Sequence, residues 1–150
     1  MNPEDIRKTY IDLKQKNEIL LAGLKKHQLL VSLLRLFVFI TGGILSAVAF
    51  SHSVIGGIVA LLVTIICFLL LVKKYEEYSG KILFTQNLVT INDKEINALN
   101  GDYSSFDGGS DLCDAKHDFS GDIDLFGEDS LFRYLNRTVT GSGRSQLAGW

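Results

Sequence analysis

The feature that most constrains this chain is a run of 19 residues without a charged side chain, from Val54 to Val72. A helix needs about 20 apolar residues to cross the hydrocarbon core of a bilayer. An earlier apolar run, Leu36 to Phe50, is shorter. It reaches a sufficient length only if residues 33–35 join it and the charged end of Arg35 extends to the lipid headgroups. The sequence therefore predicts two membrane spans, at about residues 34–50 and 54–72.

The two runs are separated only by Ser51, His52 and Ser53, so the spans must form an antiparallel hairpin over residues 35–73. Basic residues flank the outer ends of the hairpin, and the turn contains neither Lys nor Arg. The positive-inside rule then predicts a multi-pass protein of the cytoplasmic membrane with both termini in the cytoplasm. The flanking cations are Lys25, Lys26 and Arg35 before the first span and Lys73, Lys74 and Lys81 after the second.

A secretory signal and the core hairpin of a soluble domain both fit the apolar block less well. More than thirty mostly polar residues precede the block, whereas the apolar part of a secretory signal lies close to the N-terminus. The core hairpin of a soluble domain would need more apolar surface around it than a chain of 150 residues offers. The lipid bilayer is therefore the predicted partner of both helices.

Small residues in both spans allow close helix packing, either within the hairpin or between two copies of the chain. We favour packing within the hairpin, because this spacing of small residues is common in membrane helices. The residues concerned are Gly42, Gly43, Ser46, Gly56, Gly57 and Ala60.

Both segments outside the membrane, residues 1–34 and 74–100, carry apolar residues in an alternating spacing of three and four, which predicts an antiparallel coiled-coil stalk. The first seam comprises Ile6, Tyr10, Leu13, Asn17, Leu20, Leu24, His27, Val31 and Leu34. The second comprises Tyr75, Tyr78, Ile82, Thr85, Val89, Asn92, Ile96 and Leu99.

Folding the chain at its turn aligns the two seams, with Leu34 opposite Tyr75 and His27 opposite Ile82. The same register places Asn17 opposite Asn92, and a polar pair inside an apolar seam is a known device for fixing register. The alternative is that Asn92 and the following Asp93 simply end the second helix, so that the match is a coincidence.

Residues 101–121 are polar, glycine-rich and acidic, which predicts a linker or loop. Its carboxylates do not form a calcium loop: an EF-hand starting at Asp122 would have Phe126 at its fifth position and Arg133 where the bidentate acid must be. The chain has no phosphate-binding glycine loop, nucleophile elbow or paired cysteines for zinc. We therefore predict neither an active site nor a cofactor or metal site in this chain.

Residues 122–150 contain two short predicted helices, the first capped by Asp129 or Ser130 and the second by Thr138 or Thr140. The second helix carries Leu147 and Trp150 and shows no stop signal, so we expect the sequence to be cut within it. This segment resembles the MutS-related ATPases, in particular a membrane-anchored branch of that family. The resemblance lies in Asp124, Leu125, Phe126, Gly127, Ser130, Leu131, Phe132, Leu135, Asn136, Arg137, Thr138, Thr140, Gly143, Leu147 and Trp150.

The resemblance implies that residues 122–150 open a MutS-like helical core and lever region. It further implies that ATP and Mg²⁺ bind a C-terminal domain of the parent protein and that any contact with nucleic acid is made by parts outside these residues. The chain differs from the family at Asp118, where Pro is usual, and at Asp129, where Gly is usual. The predicted function is thus the membrane anchor and leading segment of a MutS-like ATPase. The alternative is a small self-associating membrane scaffold, dimerising through its stalk or its glycine faces, with no link to nucleotides.

Overall fold

A computed structural model of the chain describes residues 3–112 and 124–149. The structure of these residues is mainly helical, as predicted. The elements are α1 (Pro3–His52), α2 (Val54–Leu99), a 3-10 turn (Ser110–Leu112), α3 (Leu131–Leu135) and α4 (Gly141–Ala148). They group into two compact units: the hairpin unit is Asp12–Thr90, and the terminal unit is Met1–Ile11 together with Ile91–Trp150.

In the hairpin unit, α1 and α2 run antiparallel and are joined by a single residue, Ser53. The Ser53 N–H donates to the Ala49 carbonyl (2.9 Å), and the Gly57 N–H donates to the Ser53 carbonyl (3.0 Å). The reversal is therefore tighter than the predicted turn, because α1 continues through Ser51 and His52.

Two glycines allow the helices of the hairpin to approach closely. A Cβ atom on Gly42 would run into Thr64, and one on Gly57 would run into the Phe50 ring, whereas Gly43 has open space around it. Ser46, one turn after Gly42, is buried. Of the small residues named from the sequence, Gly42, Ser46 and Gly57 thus serve packing within the hairpin, and Gly43 does not.

Hydroxyl groups along the apolar part of the hairpin are bonded to the backbone of their own helix. Thr41 donates to the Phe37 carbonyl (2.7 Å), Ser46 to the Gly42 carbonyl (2.8 Å) and Thr64 to the Ala60 carbonyl (2.9 Å). These bonds are possible in a medium without water, because each donor is satisfied without leaving its helix.

Large apolar side chains cover the outside of the hairpin from Leu29 to Leu70, with exposed fractions between 42% at Phe50 and 76% at Ile55. In each helix only 6% of the most apolar 18-residue stretch is buried. Both helices are long and apolar enough to cross a membrane by length and composition.

The first predicted seam is partly wrong. Leu13, Leu20 and Leu34 are 43%, 53% and 49% exposed, and His27 is exposed as well. The half-buried residues in their place are Lys14, Leu21, Gln28 and Arg35. On α1 the remaining seam residues that are half-buried are Ile6, Tyr10, Asn17, Leu24 and Val31, and on α2 the predicted positions from Tyr75 to Ile96 are half-buried or buried.

In the hairpin unit His27 stacks on Tyr78 (ring centroids 6.1 Å apart, planes at 14°), which lies about one helical turn before Ile82, the residue predicted opposite His27. The predicted pairing of Asn17 with Asn92 stays a prediction. The register follows from the tip, where the close approaches of Gly42 to Thr64 and of Gly57 to the Phe50 ring leave little freedom. Counting from Leu34 along the sequence takes no account of those contacts.

The terminal unit is built around Phe132, which is 5% exposed and packs at 5.3 Å (ring centroids) against Phe126. Ala98, on the last turns of α2, is 6% exposed. Of the candidate caps, Ser130 begins α3 by accepting the Arg133 N–H (3.2 Å), and Thr140 begins α4 by accepting the Gly143 N–H (3.2 Å).

The described part of the predicted linker, residues 101–112, is folded within the terminal unit. Gly108 and Gly109 are buried, and a Cβ atom on Gly108 would run into the Gly127 carbonyl. The Gly127 N–H donates to the Gly108 carbonyl (2.9 Å). The remainder of this linker lies outside the described residues.

Candidate functional site

The hairpin unit carries a cluster of basic and aromatic side chains just beyond its apolar part. We call this the basic–aromatic cluster. It consists of His27, Arg35, Phe68, Lys73, Lys74, Tyr75, Glu77, Tyr78 and Lys81. Of the six predicted membrane-flanking cations, four belong to it: Arg35, Lys73, Lys74 and Lys81.

Arg35 lies between two rings. Its guanidinium carbon is 5.3 Å from the centroid of Tyr75 and 5.9 Å from that of Phe68, both within the range of cation–π attraction. The side chain is half-buried, and among the described residues it forms no ion pair with a carboxylate. Its charge is therefore oriented by aromatic rings and not neutralised by an acid.

The other side of the cluster is organised around Glu77. Lys74 and Lys81 donate to its two carboxylate oxygens at 2.8 and 2.6 Å. These two hydrogen bonds, first that from Lys74, lower the pKa of Glu77 to about 2, and the same contact raises the pKa of Lys74. Both ammonium groups also lie over the Tyr78 ring, at 5.6 and 5.9 Å from its centroid.

The distance of the cluster from the turn matches the thickness of a bilayer core. Arg35 lies 18 residues before Ser53, and Lys73 lies 20 residues after it. At a rise of about 1.5 Å per residue these positions are about 27 and about 30 Å from the turn along the helices. The hydrocarbon core of a typical bilayer is about 30 Å thick.

In the terminal unit, the residues that carry the MutS resemblance form contacts with the loop and with the end of α2. The Arg137 guanidinium lies 3.7 Å from the centroid of the Phe106 ring, and its Nε donates to the Glu95 carboxylate at 2.7 Å. Its Nη1 also donates to the Tyr134 carbonyl at 2.9 Å. Arg137 therefore connects the segment after α3 to both α2 and the loop.

Asn136 is the most enclosed polar residue of this segment, at 4% exposed. Its Nδ2 donates to the Asp107 carbonyl at 3.1 Å. Its Oδ1 accepts the backbone N–H (3.0 Å) and the hydroxyl (2.7 Å) of Thr138. One amide thus fixes the turn between α3 and α4 and joins it to the loop.

Arg144 makes a connection that sequence reasoning missed. Its Nε donates to the Asp107 carboxylate at 2.5 Å, and its other nitrogens donate to Asp111. These hydrogen bonds lower the pKa of both aspartates. The acidic composition of the loop was the only signal in the sequence, and it did not indicate which cation the loop would meet.

The remaining motif residues lie on the same segment. Asp124 adopts a left-handed backbone (φ 43°), and its carbonyl accepts the Leu131 N–H (3.1 Å). The Leu125 carbonyl accepts the Phe132 N–H (3.1 Å). Leu131 and Leu135 are exposed, Leu147 is half-buried, and Trp150 lies outside the described residues.

An open hollow of about 500 Å³ lies in the terminal unit between α2, the loop and the segment around Arg137. Its cations are already engaged: Lys94 lies over the Phe106 ring (5.8 Å), Arg137 contacts Glu95, and Arg144 contacts the two loop aspartates. The hollow therefore offers no concentration of free positive charge. Within residues 3–112 and 124–149, no group of three or more His, Cys, Asp or Glu side chains could hold a metal ion.

Comparisons with protein-family models, with curated proteins and with solved structures find no match to this chain. The resemblance to MutS-related ATPases therefore depends on its motif residues between Asp124 and Trp150, and it remains a proposal.

Proposed function

We propose that this chain is the membrane anchor and leading segment of a MutS-related ATPase. The observation that carries the anchor is the hairpin unit: two antiparallel helices with apolar side chains outside, internally bonded hydroxyls, and a basic–aromatic cluster about one bilayer thickness from the turn. Monomeric soluble proteins rarely expose continuous apolar patches of this size. The surface of the hairpin is therefore suited to lipid and not to water.

The proposed orientation puts the turn outside the cytoplasm and both termini in the cytoplasm. The turn carries no Lys or Arg, while Arg35, Lys73 and Lys74 lie at the opposite end of the spans. Positive charge retained on the cytoplasmic side is the usual determinant of orientation.

The terminal unit supports the proposed role as the leading segment of a MutS-related ATPase, because several side chains connect its parts. Asn136, Arg137 and Thr138 tie the turn between α3 and α4 to the loop and to the end of α2. A segment held in this way can transmit a displacement between a membrane helix and a following domain. In the parent protein that domain would bind ATP and Mg²⁺, and any nucleic acid would be met there or beyond it.

A second candidate function is a self-associating membrane scaffold. It is favoured by the exposed row Leu13, Leu20 and Leu34, whose members are seven and fourteen residues apart, the spacing of a coiled-coil seam. A homodimer would bury this row, and no nucleotide would be involved.

Two measurements test the proposed anchor: the first tests its insertion in the membrane and the second tests its orientation. Alkaline carbonate extraction of cell membranes should leave the chain in the pellet, and release into the supernatant would exclude a spanning anchor. In a Cys67→Ala, Cys113→Ala background, a membrane-impermeant maleimide should label Ser53→Cys on intact spheroplasts and label Lys26→Cys only after lysis. The opposite pattern would invert the proposed orientation.

The ATPase half is tested on the full-length product of the gene. ATP hydrolysis that requires Mg²⁺ in detergent would support the MutS-related parent. A product that binds no nucleotide but elutes as a dimer, and becomes monomeric with Leu20→Glu, would support the scaffold instead.

A further inference from the structure

We propose that the basic–aromatic cluster binds the phosphate of an anionic phospholipid, with Arg35 as its principal contact. The inference depends on the proposed anchor, because it requires the cluster to lie at the depth of the headgroups. It adds a ligand class and a contact residue to that function.

The charge of Arg35 is positioned but not neutralised. A guanidinium that is half-buried between Phe68 and Tyr75, with no carboxylate partner in the described part of the chain, still has hydrogen-bond donors to satisfy. The planar guanidinium matches a phosphate group geometrically and can donate two parallel hydrogen bonds to it. Cation–π contacts with the rings leave these donors available.

Arg35 also lies at the depth where a bilayer presents its phosphates. The hydrophobic length from the turn to Arg35 is about 27 Å, so this side chain reaches the boundary between the hydrocarbon core and the phosphates when the turn lies at the opposite surface. Tyr75 and Tyr78 are aromatic residues of the type enriched at that boundary. A phosphate is the anion that a bilayer presents at this level.

The local charge of the cluster favours an anionic lipid over a zwitterionic one. Lys74 and Lys81 share one carboxylate, Glu77, so the group of three retains a net positive charge. With Arg35 and Lys73 the cluster carries a clear excess of cations over acids. A zwitterionic lipid brings its own cation close to the phosphate, whereas an anionic lipid does not. The cluster should therefore prefer the anionic lipid.

The experiment measures retained lipid. The full chain is reconstituted into vesicles containing equal amounts of phosphatidylglycerol and phosphatidylcholine, then extracted in mild detergent, and the bound lipids are quantified by mass spectrometry. We expect enrichment of phosphatidylglycerol on the wild type. Arg35→Gln should lower this enrichment about fivefold, the effect of one basic residue near an anionic surface.

Lys16→Gln is the matched control, because it removes the same charge from an exposed position of α1 about 55 Å from the turn, farther out than every residue of the cluster. It should leave the enrichment unchanged. Absence of enrichment on the wild type, or equal losses in Arg35→Gln and Lys16→Gln, would overturn the proposal. A wash with sodium phosphate that removes the lipid more effectively than sodium chloride of equal ionic strength would support recognition of the phosphate. Equal removal by the two salts would indicate diffuse charge attraction and overturn a specific phosphate contact.

Carbonate extraction of the same variants separates this proposal from the anchor. A wild type that stays in the membrane pellet without selecting phosphatidylglycerol would refute the lipid site alone. A wild type that is released would refute the anchor as well.

Discussion

In the hairpin unit the two helices approach each other where glycines face larger side chains, whereas in the terminal unit hydrogen bonds and ion pairs join segments far apart in sequence. Gly42 and Gly57 set the spacing of α1 and α2. Asn136 and Arg144 contact the loop of the terminal unit from 29 and 37 residues away, and Arg137 contacts Glu95 at the end of α2 from 42 residues away. The two units therefore satisfy the hydrogen bonds of their polar groups in different ways.

The hairpin satisfies its polar atoms within each helix and leaves apolar surface outside. The terminal unit does the reverse: it satisfies loop carbonyls with side chains such as Arg133, whose Nε donates to the Phe106 carbonyl (3.1 Å), and Asn136. A lipid environment permits the first arrangement, because backbone and hydroxyl groups must be satisfied locally there. Water permits the second, in which ion pairs remain partly solvated.

The largest expected effect comes from removing the central ring of the terminal unit. Phe132→Ala should destabilise that unit by about 3–5 kcal/mol, because it deletes a buried aromatic side chain and leaves a cavity. Hydrogen exchange measured by mass spectrometry should then become much faster in residues 103–112, with the exchange of residues 54–72 unchanged. Leu135→Ala, at an exposed position on the same helix, is the control. Faster exchange in the hairpin would show that the units are not independent.

The next effect is expected at the glycine contact of the hairpin. Gly42→Val should weaken the pairing of α1 and α2 by about 1–3 kcal/mol, because the added atoms overlap with Thr64. Fluorescence transfer between dyes on Lys26→Cys and Ser79→Cys, in a background without native cysteines, should be lost at a lower SDS fraction. Gly43→Val faces open space and should not shift the midpoint. Equal shifts for both variants would contradict this packing.

A smaller effect is expected for the buried amide of the terminal unit. Asn136→Ala should cost about 1–3 kcal/mol, because it leaves the Asp107 carbonyl and the Thr138 N–H without their partner. Exchange of the segment containing residues 136–140 should accelerate, while Val139→Ala, at a position 96% exposed, should have no measurable effect. An unchanged exchange rate would mean that water replaces the amide at no cost.

The smallest expected effect is a loss of stability of the terminal unit at low pH. Hydrogen bonds from Arg144 lower the pKa of Asp107 and Asp111 below the ordinary value of 3.8. A group whose pKa is lower in the folded state stabilises the fold above its unfolded pKa, and this contribution is lost as the pH falls through the folded pKa. Protection of the terminal unit from hydrogen exchange, measured by mass spectrometry, should therefore decrease below about pH 4. Arg144→Gln should make that decrease smaller. If Arg144→Gln loses protection over the same pH range and to the same extent as the wild type, the ion pairs of Arg144 are not the cause of the acid sensitivity.

Sequence periodicity predicted the helices well but not how they meet. The positions of α1 and α2 followed from apolar runs and seam spacing. Side-chain chemistry limited each cap to two candidates, and the structure selects Ser130 over Asp129 and Thr140 over Thr138. The seam of α1 was misplaced by one residue at Leu13, Leu20, His27 and Leu34. A search for apolar residues passes over Lys14, Gln28 and Arg35, because long polar side chains can bury their stems while their polar ends stay exposed.

What the sequence determined by itself is therefore the number and extent of the long helices, the apolar length between the turn and Arg35, and the excess of cations at that level. These depend on residue types counted along one chain. Only the tertiary structure decided the register of α1 against α2, the placement of Arg35 between Phe68 and Tyr75, and the attachment of Arg144 to the acidic loop. These depend on close contacts between distant residues, where a shift of one helical turn changes every partner.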